Sequence, residues 1–431
     1  MHKYIGRTKF TLSSILLCAI LFLTACGGNQ IPVEPTVAAA PAAEVDLPKI
    51  TSMELDRNEV PRYESIALTL TIDAEYSNPY DAREVTLQGV FTSPAGMDMT
   101  VPGFWDGEGA WKIRFTPALV GTWTYAISVR DGRGNSLPGM GEFTVTASDL
   151  HGWIVPGNSF NASYSGHYLV YHDGTPFYGV GHADALNILI DGFDMEAGVR
   201  LFDTMKAANE NYVVWWPLYA NSPVSSSYDD YSVGNMKVID AIVKDAEKEG
   251  IFLIFTIWDH PQLRDDKHPA WDTGNWGRNG FSKLSSLEDF FVSDEAWAWQ
   301  ENLYRYIIAR WGYSPAIGMW QTVSEINGTN SLEQTDPWHA KVNNYFVEND
   351  PYRHPTTASG SGEVDWPEGH IVMDVPQVHL YDWKEDAVGA AAHTAEWTTR
   401  MWDRIERPNW IGEFGTTGNT YYPELFHNSI W

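Results

Sequence analysis

The sequence predicts an α/β fold: a (β/α)8 barrel that lacks its eighth strand, preceded by an all-β sandwich. Two residue patterns support this prediction. Residues 49–148 contain short runs of alternating apolar and polar residues separated by turn residues, which is typical of antiparallel strands. Residues 149–431 contain short apolar runs that alternate with longer helical stretches, which is typical of a parallel sheet.

The N-terminus resembles the signal peptide of a bacterial lipoprotein, which predicts that residues 1–25 are removed. Basic residues precede a short apolar run at 15–23, and Leu23-Thr-Ala-Cys26 resembles the lipobox in which the cysteine is lipidated. A plain secretory cleavage with an incidental cysteine is the alternative. We expect Cys26 to anchor the protein to a membrane of the cell envelope, facing outside the cytoplasm. Because Cys18 lies in the removed segment, we expect no disulfide.

The composition limits the partners of the protein. The formal net charge is −28, and because phosphate groups are bound by basic surfaces, we expect no nucleic-acid partner. Aromatic residues make up 14% of the chain, with 20 tryptophans. Such rings either stack on the flat faces of sugars or fill large cores. The sequence does not indicate an oligomeric state.

Residues 49–148 follow a flexible tether at 26–48, which is rich in proline and alanine, and are predicted to form the sandwich. The clearest alternating runs lie at 65–72, 84–91, 111–115, 121–129 and 141–146. Phe104-Trp-Asp-Gly107, followed by Trp111 and Trp123-Thr-Tyr125, resembles an immunoglobulin-like domain. These rings either bind sugar or fill the core, and we expect the second.

Residues 149–431 are predicted to form the barrel. Candidate strands lie at 177–181, 212–217, 252–258, 317–323, 356–359, 377–381 and 410–413. Candidate helices include 195–209, 236–249, 294–311 and 391–405. A (β/α)8 barrel needs eight strands, and the sequence ends in what looks like the seventh helix. We therefore expect the chain to be truncated before strand eight.

Two glutamates that follow buried strands carry the functional prediction. Glu325 comes after the fourth candidate strand, and Glu413 ends the seventh. In a barrel of parallel strands the carboxyl ends form the functional face, so both side chains would meet there. Two carboxylates can hydrolyse a glycosidic bond: one protonates the leaving oxygen and the other attacks the anomeric carbon or activates water. We expect the pKa of Glu325 to be raised by the nearby negative charge and by partial desolvation.

The segment Tyr168-Leu-Val-Tyr-His-Asp-Gly-Thr-Pro-Phe177 and residues 305–320 resemble the first strand, third helix and fourth strand of a known enzyme family. The family is the clan A retaining glycoside hydrolases close to family 5, which are cellulase-like TIM barrels. The resemblance covers the chain from about residue 168 onward. It implies that Glu325 is the acid/base and Glu413 the nucleophile of a double displacement on a polysaccharide or oligosaccharide. It implies no cofactor and no metal.

The resemblance also implies supporting residues. His379-Leu-Tyr381 matches the His-x-Tyr of strand six, in which the tyrosine orients the nucleophile, and His260 matches a histidine after strand three. Ser324 stands where the family usually has an asparagine that contacts the sugar, and Val214 stands where it has an arginine. Trp216 and Trp258 are predicted to bind substrate as sugar platforms, with Trp215, Trp271 and Trp276 as further candidates.

Two alternatives remain open. A glycan-binding surface lipoprotein whose barrel has lost activity is favoured by Val214 and Ser324 and opposed by the intact glutamate pair. A metal-dependent hydrolase would use His182-Ala-Asp184 and Asp259-His260, but the sequence has no His-x-His and no convincing ligand set. The sugar, the linkage and exo or endo action depend on loops and are not predicted.

Overall fold

The computed structural model describes residues 46–163, 166–183, 195–267, 270–271, 273–330, 332–381 and 387–414. The predicted signal peptide and Cys26 lie outside the described residues. Within them, no helix combines the length and the apolar character needed to cross a membrane.

The first part of the described chain consists of two β-sheets that share one apolar core. Its strands are β1 (Ile50–Leu55), β2 (Glu59–Pro61), β3 (Ile66–Ile72), β4 (Val85–Thr92), β5 (Asp98–Pro102), β6 (Phe104–Trp105), β7 (Trp111–Phe115), β8 (Gly121–Asp131), β9 (Gly134–Asn135) and β10 (Gly139–Thr146). One sheet has the order β1-β3-β7-β6, and the other has the order β2-β10-β8-β4-β5 with β9 on β8. All pairs are antiparallel except β2 with β10. The alternating sequence pattern therefore forms antiparallel sandwich-like sheets.

The aromatic rings of this part fill cores and do not form an exposed binding surface. Trp111, Trp123 and Tyr125 are each less than a tenth exposed and pack within the sandwich. Phe104 is buried in the core of the α/β part that follows. The expectation that these rings are structural agrees with this packing.

The second part is α/β. Its strands are β11 (Ile154–Pro156), β12 (Leu169–Tyr171), β13 (Gly181–Ala183), β14 (Tyr212–Trp215), β15 (Phe252–Thr256), β16 (Ile317–Gln321), β17 (Thr356–Thr357), β18 (Gln377–Leu380) and β19 (Trp410–Phe414). Its helices are α1 (Gly157–Phe160), α2 (Met195–Ala207), α3 (Pro217–Asn221), α4 (Val233–Glu249), α5 (Leu287–Val292), α6 (Asp294–Trp311), α7 (Leu332–Asn349), α8 (Pro367–His370) and α9 (Ala387–Ile405). Short 3-10 helices lie at His260–Leu263, Trp276–Arg278, Gly280–Lys283 and Ile326–Gly328.

The strands β13 to β17 form one parallel sheet in chain order, and β18 pairs in parallel with β19. The amide of Val375, just before β18, donates to the carbonyl of Thr356 in β17, and β19 lies against β13. Every residue of β15 and β16 is buried, as expected for strands covered on both faces. The carboxyl ends of these strands therefore face the same side of the molecule.

The first parallel strand lies later in the sequence than predicted. We expected residues 177–181, but β13 begins at Gly181. The side chain of Asn211 bonds the backbone on both sides of Gly179: it donates to the carbonyl of Tyr178 and accepts from the amide of Val180, each at 2.8 Å. These side-chain bonds replace the strand ladder that the apolar pattern predicts.

A buried ionic cluster joins the sandwich to the α/β part. The carboxylate of Asp240, in α4, accepts hydrogen bonds at 2.9–3.0 Å from Arg114 of β7 and at 2.7–3.1 Å from Arg310 of α6. The indole nitrogen of Trp311 donates to the same carboxylate at 2.8 Å. Burial would raise the pKa of Asp240, but the two guanidinium groups lower it below its ordinary value. Asp240 is therefore ionised and neutralises arginines from both parts of the fold.

We predict that Asp240→Ala lowers the free energy of unfolding by about 3–5 kcal/mol, because Arg114 loses its bonded carboxylate and Arg310 keeps only that of Asp106, at 2.9 Å. Denaturant unfolding of the purified protein measures this change. The control is Asp203→Ala, which removes an exposed carboxylate from the neighbouring helix α2. A loss below about 1 kcal/mol, the range of exposed ion pairs, would contradict the structural role of Asp240.

Candidate active site

The two predicted glutamates lie close together at the carboxyl ends of the parallel strands. Glu413 belongs to β19, and Glu325 lies four residues after the end of β16, at the start of a 3-10 helix. A carboxylate oxygen of each, together with a ring nitrogen of His379, lies within 4.8 Å of the others. Glu325 has a left-handed backbone, with φ 58° and ψ 56°. Such a conformation is uncommon outside glycine, and non-glycine examples often occur at functional sites.

Glu325 is surrounded by hydrogen-bond donors. His379 Nδ1 lies 2.9 Å from Glu325 Oε1, and Trp271 Nε1 donates to Oε2 at 2.8 Å. His260 Nε2 lies 3.4 Å from Oε2. The backbone amide of Glu325 donates to the hydroxyl of Ser359 at 2.9 Å, which holds the strained turn in place. Both carboxylate oxygens are therefore oriented by side chains from other strand ends.

Glu413 has a different environment. The hydroxyl of Tyr381 donates to Glu413 Oε2, and His379 Nδ1 lies 3.4 Å from the same oxygen. Burial and the charge of Glu413 raise the pKa of Tyr381, so the phenol keeps its proton and acts as a donor. His379 therefore lies between the two glutamates, whereas Tyr381 bonds Glu413.

The protonation of Glu325 differs from our expectation. Burial would raise the pKa of Glu325, but the hydrogen bond and charge of His379, with a contribution from His260, lower it below its ordinary value. The expected rise considered the second carboxylate and desolvation but overlooked these donors, so the prediction was wrong. Burial works against a proton on His379, yet Glu413, Glu325 and Asp259 raise its pKa. Glu325 is thus ionised beside a histidine that retains its proton.

A third carboxyl group lies beside the pair. Asp259 forms an isolated β-bridge with Ser324, and the two side chains are hydrogen bonded to each other. Burial and the negative charges of Glu325 and Glu413 raise the pKa of Asp259 well above its ordinary value. We predicted that Ser324 binds substrate, but its side chain is buried and its hydroxyl is bonded to Asp259. Ser324 therefore supports Asp259 and is too enclosed to bind a sugar directly.

The tryptophans predicted as sugar platforms are mostly core residues. Trp258 is 3% exposed, its indole nitrogen donates to the hydroxyl of Tyr304, and Phe281 and Phe290 pack against its ring. Trp216 is 8% exposed and packs in an apolar cluster. Trp215 and Trp276 are also buried. These predictions were wrong because a short run of apolar residues does not reveal which rings face inward.

Trp271 is the platform candidate that the structure favours. Its side chain is 51% exposed, its indole nitrogen bonds Glu325, and its ring centroid lies 4.9 Å from that of His260. The other predicted residues are placed as follows: His260 is buried against Glu325, and His379 and Tyr381 lie between or beside the glutamates.

The residues that weakened the resemblance also have clear positions. Val214, in place of the family's arginine, is buried in β14 in the same apolar cluster as Ile254 and Met319. Of the alternative metal site, His182 is hydrogen bonded to Glu210, and Asp184 lies outside the described residues. Among the described residues, the compact group of potential ligand atoms is that of Glu325, His379 and Glu413. A cation there would have to replace the proton by which His379 contacts both carboxylates.

Two contributors to this site were not predicted from the sequence, and Asp259 was predicted only as a candidate metal ligand, in the pair Asp259-His260. Arg264 and Ser359 were not identifiable, since each acts on the site through a fold-dependent contact with His260 or with the backbone of Glu325.

Residues 59–130 match a family described as a domain of unknown function (DUF5060). This match covers most of the sandwich and leaves the α/β part unassigned. No curated protein matches the chain.

Solved structures with a similar fold include a candidate glycoside hydrolase from Bacteroides vulgatus. It has a TM-score of 0.63 and 20% identity, and the alignment covers 85% of this chain and 67% of that one. An endo-1,4-β-mannanase from Rhizomucor miehei has a TM-score of 0.47 and 16% identity, and the alignment covers 62% of this chain and 86% of that one. A β-glucuronidase from an uncultured Clostridium has a TM-score of 0.42 and 14% identity, and the alignment covers 89% of this chain and 59% of that one. At these identities the likeness to the Bacteroides protein concerns the fold.

Proposed function

We propose that the protein is a retaining glycoside hydrolase that acts on a polysaccharide or oligosaccharide. The observation that carries the proposal is the pair Glu325 and Glu413, whose carboxylate oxygens approach within 4.8 Å at the strand ends. Retaining enzymes hold their two carboxyl groups about 5–5.5 Å apart, whereas inverting enzymes leave room for a water between them. The fold of the Bacteroides neighbour is consistent with this chemistry, but the residues carry the argument.

Glu413 is the nucleophile in this proposal. Its Oε attacks the anomeric carbon while the bond from that carbon to the leaving oxygen breaks. Tyr381 donates to Glu413 and orients the carboxylate without protonating it, because the phenol retains its proton. The product of this step is a glycosyl ester on Glu413 and a protonated leaving group.

Glu325 is the acid/base, and it obtains its proton from His379. The raised pKa of His379 favours a proton on its ring, whose Nδ1 lies 2.9 Å from Glu325 Oε1. As Glu413 attacks, its negative charge is lost to the new bond, so in this same step the proton passes from His379 to Glu325 and from Glu325 to the departing oxygen. In the second step, Glu325 accepts a proton from water as that water attacks the glycosyl ester and releases Glu413.

The exposed ring of Trp271 provides the surface for the sugar. Its apolar face can stack on a pyranose ring. Its bond to Glu325 Oε2 places the indole ring beside the acid. Since Oε1 faces His379 and Oε2 accepts from Trp271, we assign proton transfer to Oε1.

We place the chain near clan A, family 5, on the basis of Glu325, Glu413 and the His379-Leu-Tyr381 motif. A second candidate function is glycan binding without turnover. The lowered pKa of Glu325 and the apolar Val214 favour it, because the first disfavours the proton that an acid must carry and the second stands where the family has an arginine. Affinity for a glycan panel without product formation would identify this second function.

We further propose that Cys26 is lipidated and that the protein is anchored at the cell envelope. The support is Leu23-Thr-Ala-Cys26 after the apolar run. When the full gene is expressed in a bacterial host with labelled palmitate, we expect the wild-type protein to carry the label. The Cys26→Ser variant should carry none. Label on both proteins, or on neither, would contradict this proposal.

We predict that Glu413→Ala lowers kcat by at least roughly 10⁴-fold on all substrates, because the attacking atom is lost. Glu325→Ala should lower turnover strongly for natural glycosides and only weakly for aryl glycosides with good leaving groups, which need no proton. Kinetics on a matched pair of aryl glycosides measures both effects, and nuclear magnetic resonance of the first product measures its anomeric configuration.

Glu396→Ala is the control for these two variants, since it removes an exposed carboxylate from α9. An inverted product would reject the retaining mechanism. Normal turnover by Glu413→Ala would reject the assignment of the nucleophile.

We predict a pH dependence from the proton held on His379. Its pKa lies above the ordinary value, so the empty enzyme retains this proton until the pH rises past that pKa, and kcat/KM should fall only above it. His379→Asn removes the proton store, and the alkaline limb of kcat/KM should move to lower pH. We expect the ratio of kcat/KM at pH 7 to that at pH 5 to drop about tenfold or more. An unchanged alkaline limb would exclude His379 as the proton source.

A further inference from the structure

We propose that Arg264 is a positioning residue that holds His260 in the neutral tautomer with its proton on Nε2, directed at the acid/base Glu325. The inference rests on the proposed function, because it explains how Glu325 is kept ready to accept and release a proton. Arg264 does not touch the reacting atoms and acts through the imidazole ring.

The three side chains form a continuous series of contacts. Arg264 Nη1 lies 2.9 Å from His260 Nδ1, and on the other side of the ring His260 Nε2 lies 3.4 Å from Glu325 Oε2. The same guanidinium nitrogen donates to the carbonyl of Gly328 at 2.9 Å. Arg264 is fully buried and His260 is 3% exposed, so bulk water does not compete for these bonds.

The chemistry of the donors assigns the tautomer. A guanidinium group has N–H donors and no acceptor, so the nitrogen of His260 that faces Arg264 must accept. Nδ1 therefore carries the lone pair, and in the neutral ring the proton lies on Nε2. Nε2 is the ring nitrogen that faces Glu325 Oε2, at 3.4 Å.

Packing holds the ring in this orientation. Gly328 lies so close to His260 that a Cβ added there would lie 2.7 Å from Nδ1 and 2.8 Å from Cγ. The imidazole thus lies against the backbone of Gly328, whose carbonyl is bonded by Arg264. A 180° flip of the ring would replace Nδ1 by Cδ2–H against the guanidinium and remove the acceptor for Arg264.

The charges around His260 support the neutral form. Burial and the positive charges of Arg264 and His379 lower its pKa to about 4, although Glu325 acts in the opposite direction. Asp259, whose side chain accepts from the amide of His260, has a raised pKa. His260 is therefore neutral over the pH range in which the proposed proton transfer from His379 to Glu325 takes place.

A neutral His260 matters for the acid. An imidazolium beside Oε2 would add a second positive charge to the one on His379 and would hold Glu325 as a carboxylate. The neutral N–H orients Oε2 and leaves the proton affinity of Glu325 high enough for transfer to a leaving oxygen. Arg264 thus gives the two histidines different roles. His379 carries the positive charge, and the neutral His260 orients Glu325 Oε2.

The first test is the tautomer itself. Nuclear magnetic resonance of the full chain with ¹⁵N-labelled histidine, assigned with a His260→Asn variant, distinguishes Nε2–H from Nδ1–H by its two-bond correlations. We expect Nε2–H and no imidazolium for His260 at pH 6. An Nδ1–H or imidazolium signal would overturn the proposal, and this result does not depend on whether the protein has glycosidase activity.

The second test is kinetic. In Arg264→Met we expect kcat/KM for aryl glycosides with poor leaving groups to fall about 10- to 100-fold, more at pH 5 than at pH 7. Substrates with good leaving groups should change by less than about threefold. Arg264→Lys, whose ammonium group also only donates, should restore part of the loss. Adding Arg264→Met to His260→Asn should have little further effect, because both changes remove the same interaction.

Arg278→Met, which removes an exposed arginine from the same segment, is the control. A loss of equal size for both leaving groups and at both pH values would show that Arg264 is only structural and would overturn the proposal. If Arg264→Met does not fold, Arg264→Lys and the tautomer measurement decide. A wild-type protein without turnover would reject the proposed function and leave the tautomer result standing.

Discussion

The parallel pairing of β18 with β19 is the constraint on which the site depends. The register places His379 directly opposite Glu413, and it does so through an irregularity between Val378 and His379. A shift of one residue in a strand turns every side chain to the opposite face. Without this irregularity, His379 would not lie between Glu413 and Glu325, and the two glutamates would not share a common donor. The catalytic proposal is thus a consequence of strand register.

Two chemically similar side chains acquire different duties from their donors. Glu413 is bonded by a phenol that holds its own proton tightly. Glu325 is bonded by His379, Trp271 and the neutral ring of His260. In the proposed mechanism, the first environment preserves a carboxylate for attack, and the second connects a carboxylate to a proton source. The negative charges of both glutamates, together with burial, raise the pKa of the nearby Asp259 well above its ordinary value.

Much of this arrangement was readable in the sequence. The alternation of strands and helices placed Glu325 and Glu413 at strand ends, because apolar runs of four to eight residues mark buried strands. The directions of individual side chains were not readable. Trp258 and Trp271 look alike in the sequence, yet one is core and the other is half exposed, since only the packing of the loop after β15 distinguishes them. The pKa of Glu325 was misjudged because its donors come from separate strand ends.

The ring of Phe104 limits how the sandwich and the α/β part can be exchanged in evolution. It extends from β6 of the sandwich into the interior of the α/β part, where Tyr306 packs edge to face against it at 5.9 Å and the guanidinium groups of Arg114 and Arg310 lie within 5.2 Å. A replacement sandwich without this ring would leave a void beneath two cations. The two parts are therefore not interchangeable modules, and recombination between relatives is expected to transfer them together.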